Sequence, residues 1–325
     1  MIPREDMDPE GTNPWPEPGP RRRSSTVVLI GLLLFCGIGL FVLRSLLFRR
    51  PSQRDTARFE REWREAKKQT EVPIVETDGP ERFSLTFKPP TGKRFRFVFV
   101  CSEEGDSPGQ EAMRMLMSGT LSMREMQGSV VIEYSEDANR FASSGMWFER
   151  TPKSRAAIYR GGKFVPAARR GDGFEPVDDG SEDPLAPLAI SESVTLEFPR
   201  GSDARVGTRW TTRSPLGNTL SHEVVGFAEV AGHRTVKVRT ESKLSGMTPT
   251  MMKRLKKFPL ILRVMKQGTK QIETDQSDHV VSYLDLSTGQ LIRLECRTEG
   301  RLRRKDCPKW EKQTPIDGAM QWIDP

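Results

Sequence analysis

Arg94-Phe95-Arg96-Phe97-Val98-Phe99-Val100-Cys101 is the stretch on which the fold turns. Phe95, Phe97, Phe99 and Cys101 occupy alternate positions, and Arg94 and Arg96 fall between the first of them. A period of two sends successive side chains to opposite faces of an extended chain, so this segment reads as a strand with one buried face. Cys101 closes the run as a small buried hydrophobe. Upstream, Phe83, Leu85 and Phe87 alternate in the same way, and Gly92 separates the two runs as a hairpin turn would require.

Downstream the same reading predicts strands over 112–124, 129–134, 141–149 and 155–159, with Arg160-Gly161-Gly162-Lys163 as a turn. Residues 166–187 change character: they hold Gly171-Asp172-Gly173 and Asp178-Asp179-Gly180 and read as an acidic Gly/Pro loop without EF-hand spacing. Strand-rich chain resumes near Val194, with candidates at 206–211, 221–230, 234–243, 270–286 and 291–298. Val236 and Val238 alternate with Lys237 and Arg239, as in a half-buried antiparallel strand. Ser287-Thr288-Gly289-Gln290 joins the last two, its glycine free to take the positive φ of a tight turn. The expected fold is therefore mainly β, an antiparallel sheet domain over 81–300, either a sandwich or a half-barrel. Its two stretches, 81–165 and 190–300, would make similar halves. Residues 301–325 are basic, then polar, and read as an irregular tail.

Ahead of this domain lies a different kind of chain. Residues 1–23 carry Pro3, Pro9, Pro14, Pro16, Pro18 and Pro20, a density that neither a helix nor a central strand accepts, so disorder is expected there. From Val27 to Phe48 the sequence is apolar apart from Arg44 and Ser45, which gives the roughly 20 helical residues that a bilayer core requires. A single transmembrane helix over 26–48 is the expectation. The run is too long for a signal peptide and is followed by Phe48-Arg49-Arg50 rather than by small residues marking a cleavage site. Residues 52–80 would form a juxtamembrane helix and linker, with Phe59, Trp63 and Ala66 as a stripe resting on the bilayer or on the domain. Arg21, Arg22 and Arg23 favour a cytoplasmic N-terminus, whereas Arg49, Arg50, Arg54, Arg58 and Arg61 pull the other way. The short tail is the easier end to retain, so the main domain is expected outside the cytoplasm.

The formal charge of +7 places part of its excess beside this apolar run, where lipid headgroups explain it better than nucleic acid. No basic recognition helix, zinc finger or RNA-binding aromatic signature is present. Four cysteines are too few for a disulfide scaffold, although Cys296 and Cys307 could close a loop in an oxidising compartment. The histidines His222, His233 and His279 lack metal-ligand spacing, and there is no nucleophile elbow or phosphate loop. No catalytic, cofactor or metal-binding residues are predicted, and a non-enzyme is expected.

Two apolar features remain. Met113, Met115 and Met117 share a strand face, followed by Met123 and Met126, which makes a core stripe or an adaptable apolar surface. The segment 248–267 interleaves Met251, Met252, Leu255, Phe258 and Leu262 with lysines and arginines. It reads as a short inserted amphipathic helix that either packs on the sheet or contacts lipid or an apolar ligand.

Val206-Gly207-Thr208-Arg209-Trp210, taken with Tyr283 through Leu291, resembles uncharacterised bacterial extracytoplasmic β proteins over about residues 83–298. In these a glycine-led Trp-Thr strand opens a sheet and an Asp…Thr-Gly hairpin closes it, and Gly92-Lys93-Arg94-Phe95 would open a first half. The resemblance implies the cell envelope and carries no site residues. The functional expectation is a membrane-anchored, non-catalytic envelope module for an apolar or lipid-like ligand. The alternatives are an assembly partner of another membrane protein and an enzyme with dispersed acidic residues.

Overall fold

The computed structural model describes residues 53–103, 113–126, 128–143, 146–149, 154–160, 163–177, 196, 198, 203–213, 218–244, 272–304 and 309–323. One helix, α1 (Gln53–Thr70), precedes a succession of strands. The first part of the chain supplies β1 (Ile74–Thr77), β2 (Arg94–Glu103), β3 (Arg114–Met126), β4 (Ser129–Ser143), β5 (Met146–Glu149), β6 (Ser154–Arg160), β7 (Lys163–Arg170) and β8 (Gly173–Pro176). The second supplies β9 (Arg209–Arg213), β10 (Thr219–Val230), β11 (His233–Leu244), β12 (Ile272–Asp285), β13 (Leu291–Arg304), β14 (Glu311–Lys312) and β15 (Ile316–Ile323).

All of these strands join a single antiparallel sheet, in the order β1-β10-β11-β12-β13-β15-β2-β3-β4-β6-β7-β8. Strands β9, β5 and β14 pair with β10, β4 and β13 beside that path. The mainly β, antiparallel expectation holds. The alternating face read from β2 forms the core: Phe95, Phe97, Phe99 and Cys101 are buried together with Met115, Met117, Leu121, Val236, Val238, Leu284 and Trp322.

Two strand pairs open alike. Gly92, at φ 78°, donates its N–H to the Met123 carbonyl, and the Met123 N–H returns to Lys93. Gly207, at φ 88°, donates to Val224, and the Val224 N–H returns to Thr208. In both cases a glycine in the left-handed region starts the edge of a strand pair. Each following hairpin turns through two residues, between Met126 and Ser129 and between Val230 and His233.

Two expectations need correction. Phe83–Phe87 is not a hairpin partner of β2. Phe83 bridges only Ala204, the Lys88 N–H donates to the Thr288 carbonyl, and the Tyr159 hydroxyl donates to the Phe87 carbonyl at 3.4 Å. This segment is a strap, and its Phe87 backbone lies against Gly289 while its ring meets Tyr159 edge-on at 5.1 Å. Five strand spacings separate β13 from β6, about 24 Å on a flat sheet. One phenylalanine touching both sides therefore requires the sheet to curl around the strap. The acidic loop also yields in part, because 163–176 forms β7 and β8 around the Gly171-Asp172 turn.

The second correction is larger. Residues 301–325 are not an irregular tail: β13 runs on to Arg304, and β15 lies in the middle of the sheet between β13 and β2. Ile316, Met320 and Trp322 are its core residues, on the two-residue period that marks a strand. Asp317, Ala319 and Gln321 alternate with them, and with Gly318 in the inward row they disguised the pattern.

Helix α1 settles on the outer face. Phe59, Trp63 and Ala66, at spacings of four and three, pack on Val98, Val100 and Leu116. Glu60 pairs with Arg114, and Glu62 with Arg140. The Arg293 guanidinium donates to the Thr70 carbonyl at the helix C-terminus, where a cation complements the unpaired carbonyls. The apolar stripe thus belongs to the domain and not to a bilayer. The span expected over 26–48 lies outside the described residues, and no described helix is long and apolar enough to cross a membrane.

Gly318 tests the central strand. A Cβ there would stand 2.7 Å from the Cys296 sulfur and 3.0 Å from the Cys101 Cβ. Gly318→Ala is expected to destabilise the protein by about 1–3 kcal/mol through overpacking. Adding Cys296→Ala should recover part of that loss in urea unfolding. An unchanged midpoint for Gly318→Ala would show that β15 is not packed in this way.

Candidate functional site

The inner face is apolar except for one patch in the second half. On β12 the even positions face inward, so Asp278 and Gln276 continue the row of Val280, Ser282 and Leu284. Asp278 is 1% exposed. Its carboxylate accepts from Gln276 Nε2 at 2.9 Å, Thr298 Oγ1 at 2.9 Å and Ser242 Oγ at 3.1 Å. These three donors are neutral. Burial therefore outweighs the hydrogen bonds, and the carboxyl is held above its ordinary range.

One row further along, His222 is 2% exposed and stacked on Trp210, ring centres 4.9 Å apart. Its Nε2 lies 2.7 Å from Thr212 Oγ1 and its Nδ1 2.8 Å from Thr240 Oγ1. A neutral imidazole has one donor and one acceptor nitrogen, and two hydroxyls satisfy both. Burial brings its pKa down to about 4. The strand register carries this row onward through Thr240, Val280, Cys296, Gly318, Cys101 and Met115. Cys101 and Cys296 are buried thiols, with burial pushing Cys101 up to about 12 and Cys296 well above its usual value. Thiols held protonated in this way are packing groups and not nucleophiles.

A second polar group lies at the turn end of the sheet. Asp285 Oδ1 accepts from the backbone N–H of Ser287 and Thr288 and from both of their hydroxyls, while Oδ2 lies 3.0 Å from His233 Nδ1. Burial would raise this carboxyl, but the donors from Ser287, His233 and Thr288 win and hold it low. A shallow groove lined by Gly232, His233, Arg234, Asp285, Leu286 and Ser287 opens here. His, Asp and Ser meet, yet the Ser287 hydroxyl is spent on Asp285, 2.5 Å away, so the geometry is that of a braced turn and not of an acyl-transfer triad.

The residues singled out as apolar-ligand contacts, Met251, Met252, Leu255, Phe258 and Leu262, lie outside the described residues, as does Cys307. Cys296 is described and faces inward. Met113, Met115, Met117 and Met123 all belong to the core cluster. His222 was readable as a strand residue, whereas Asp278 was missed. Its signal was parity, because it shares the alternation of Val280 and Leu284. Among the described residues no group of three or more His, Cys, Asp or Glu could hold a metal ion. In comparisons with known proteins, no family model and no curated sequence matches the chain.

The two buried groups give opposite pH signatures. His222 is neutral in the fold and titrates near pH 6.5 when unfolded, so its contribution is complete above that value and is lost as the pH falls towards 4. A shift of this size corresponds to about 3 kcal/mol. His222→Gln, which keeps a donor and an acceptor, should remove that acid-side slope in unfolding measured across this window. For Asp278 the folded pKa is raised, so ionisation costs native stability as the pH climbs out of the acid range. Asp278→Asn should therefore gain on the wild type from acid to neutral pH, and a constant difference would contradict the assignment.

Proposed function

We propose that this chain is a membrane-tethered, non-catalytic interaction module of the cell envelope. Its N-terminus would be cytoplasmic and its sheet domain external. The observation that carries the reading is the placement of α1. The apolar run ends at Phe48, and only residues 49–52 separate it from a helix docked by Phe59, Trp63 and Ala66 onto the sheet. The five steps from Phe48 to Gln53 reach no further than about 18 Å. A helix spanning the bilayer over 26–48 would thus hold the sheet close to the membrane surface.

The non-catalytic part of the reading draws on the hydrogen bonds of His222, Asp278 and Ser287. Both His222 nitrogens, both Asp278 oxygens and the Ser287 hydroxyl are committed to partners within the fold. The ligand class we favour is apolar or lipid-like. Methionines supply much of the inner face, and their unbranched, polarisable side chains repack around varied apolar shapes. The 248–267 segment, with Met251, Met252, Leu255, Phe258 and Leu262, lies in the chain between β11 and β12 and would contribute to such a contact. The second reading, an assembly partner of another membrane protein, draws on the open edge. There β1 and β9 lie end to end along β10, and Val75 is 58% exposed.

Alkaline carbonate treatment of membranes carrying the full chain tests the tether. The protein is expected to stay with the lipid, and release, or a mature N-terminus beyond Phe48, would defeat the proposal. Mass spectrometry of small molecules carried by the detergent-purified chain tests the ligand class. A retained lipid-like species is expected, and a stoichiometric protein partner without one would favour assembly.

A further inference from the structure

The sheet has two unlike ends, and the register locates three separate features at one of them. Arg297, Asp317, Ser102 and Arg114 form one row across β13, β15, β2 and β3. Beyond that row β13 continues to Arg301 and Arg303, the former four residues or about 13 Å further on. Both lie on the outer face, since Cys296 and Thr298 of the same strand face the core side that holds Asp278. The Trp310 ring is stacked against both guanidinium groups, 4.9 Å from Arg301 and 4.8 Å from Arg303. Asp275 pairs with Arg301 at 2.8 Å, and Lys309 and Lys312 are exposed beside the stack.

Helix α1 starts at this same end and on this same face. Glu60 is paired with Arg114, in the row just named, and the helix descends from there to Thr70 at Arg293 near the turn end of β13. Its first residue, Gln53, therefore projects in the opposite direction, about 10 Å beyond Glu60 along the helix. Arg49 and Arg50 sit between that point and the apolar run.

We infer that the Arg301–Trp310–Arg303 stack rests in the headgroup layer of the bilayer and binds the phosphates of anionic lipids. The inference deepens the tethered reading and rests on it. A span ending at Phe48 brings the membrane surface to the end of the sheet where the stack stands. The interfacial layer is about 5–7 Å deep on each side of the hydrocarbon. Tryptophan is suited to that depth, with an apolar ring and one N–H donor. Guanidinium forks match phosphate oxygens bidentately, and stacking on a shared indole fixes two forks side by side. The neighbouring Lys309 and Lys312 add positive charge against an anionic surface.

Full-length protein in nanodiscs whose acyl chains carry bromine near the headgroup provides the test. Subtracting the fluorescence of Trp310→Phe from that of the wild type isolates one indole. That component is expected to be quenched in discs containing phosphatidylglycerol and to lose its quenching in phosphatidylcholine discs. Arg301→Gln/Arg303→Gln should abolish the difference while the protein keeps its wild-type melting midpoint. A Trp310 signal insensitive to bromine in a carbonate-resistant chain would overturn this inference alone. Equal quenching in both lipids would overturn the recognition of anionic lipid, since phosphatidylcholine carries a phosphate as well, and protection by soluble glycerol phosphate without bromine quenching would assign the stack to a free phosphate ester. A chain that leaves the discs altogether would refute the tether first.

Discussion

The pairing of β15 with both β13 and β2 is the contact on which the rest of the structure depends. Without it each half would be a separate meander with an open edge at the middle of the present sheet. Residues 293–298 pair on one side of β15 and residues 96–103 on the other, so the last described strand bridges its two neighbours in the sheet by backbone ladders on both edges. Antiparallel ladders leave buried N–H and C=O groups unpaired if a central strand is withdrawn, and each such group costs about 1–3 kcal/mol. The close approach of Cys101 and Cys296 over Gly318 follows from this arrangement. Two side chains lean across the position where the central strand has none.

The same strand fixes the outer face. Arg293, 7% exposed at its side chain, donates to the carbonyl of Thr70 and also reaches Glu295 and Gln321, so the last turn of α1, β13 and β15 share one guanidinium. Near its middle the helix is held by Arg114 and Arg140 from β3 and β4, through Glu60 and Glu62. Ion pairs at a surface contribute little individually, and the burial of Phe59 and Trp63 provides most of the attachment. What the charges add is direction. A helix that could otherwise slide along an apolar strip is pinned at its middle and its C-terminus, and its first residue is aimed at a defined end of the sheet.

Much of this was readable beforehand, and the failures have physical causes. Strands β2 and β11 announce themselves by alternation of apolar with charged residues, as in Arg94-Phe95-Arg96-Phe97 and Val236-Lys237-Val238-Arg239. Strand β15 hides because its own alternation is weak, although it is flanked by strands on both edges. Its outward positions are Asp317, Ala319 and Gln321, and a glycine stands in the inward row, so local alternation gave a weaker signal than the sheet position deserved. Phe83, Leu85 and Phe87 misled in the other direction. Alternation shows that one face is buried, and a strap lying across a curled sheet meets that requirement without joining the ladder. The helix pattern of Phe59, Trp63 and Ala66 was clear, but no sequence rule could choose between sheet and bilayer as its partner. The candidate site was harder still: Asp278 is an ordinary residue in composition, and only its parity with Val280 reveals it as buried.

That parity matters for how function is read from such a sheet. A carboxylate inside an apolar wall invites an enzymatic reading, because buried, perturbed groups gather at active sites. Here each polar atom of the patch already has its partner, and the partners come from neighbouring strands: Ser242 on β11, Gln276 on β12 and Thr298 on β13. A catalytic carboxylate must exchange hydrogen bonds with substrate, whereas one that ties three adjacent strands together would weaken the sheet whenever it did so. The same holds for His222, whose two threonines come from β9 and β11 on either side of it. These groups specify register in a wall whose apolar residues could tolerate slippage. Away from this patch the two ends of the sheet differ at the surface. One is closed by short turns braced by Asp285, and the other combines the start of α1 with the paired guanidiniums at Trp310.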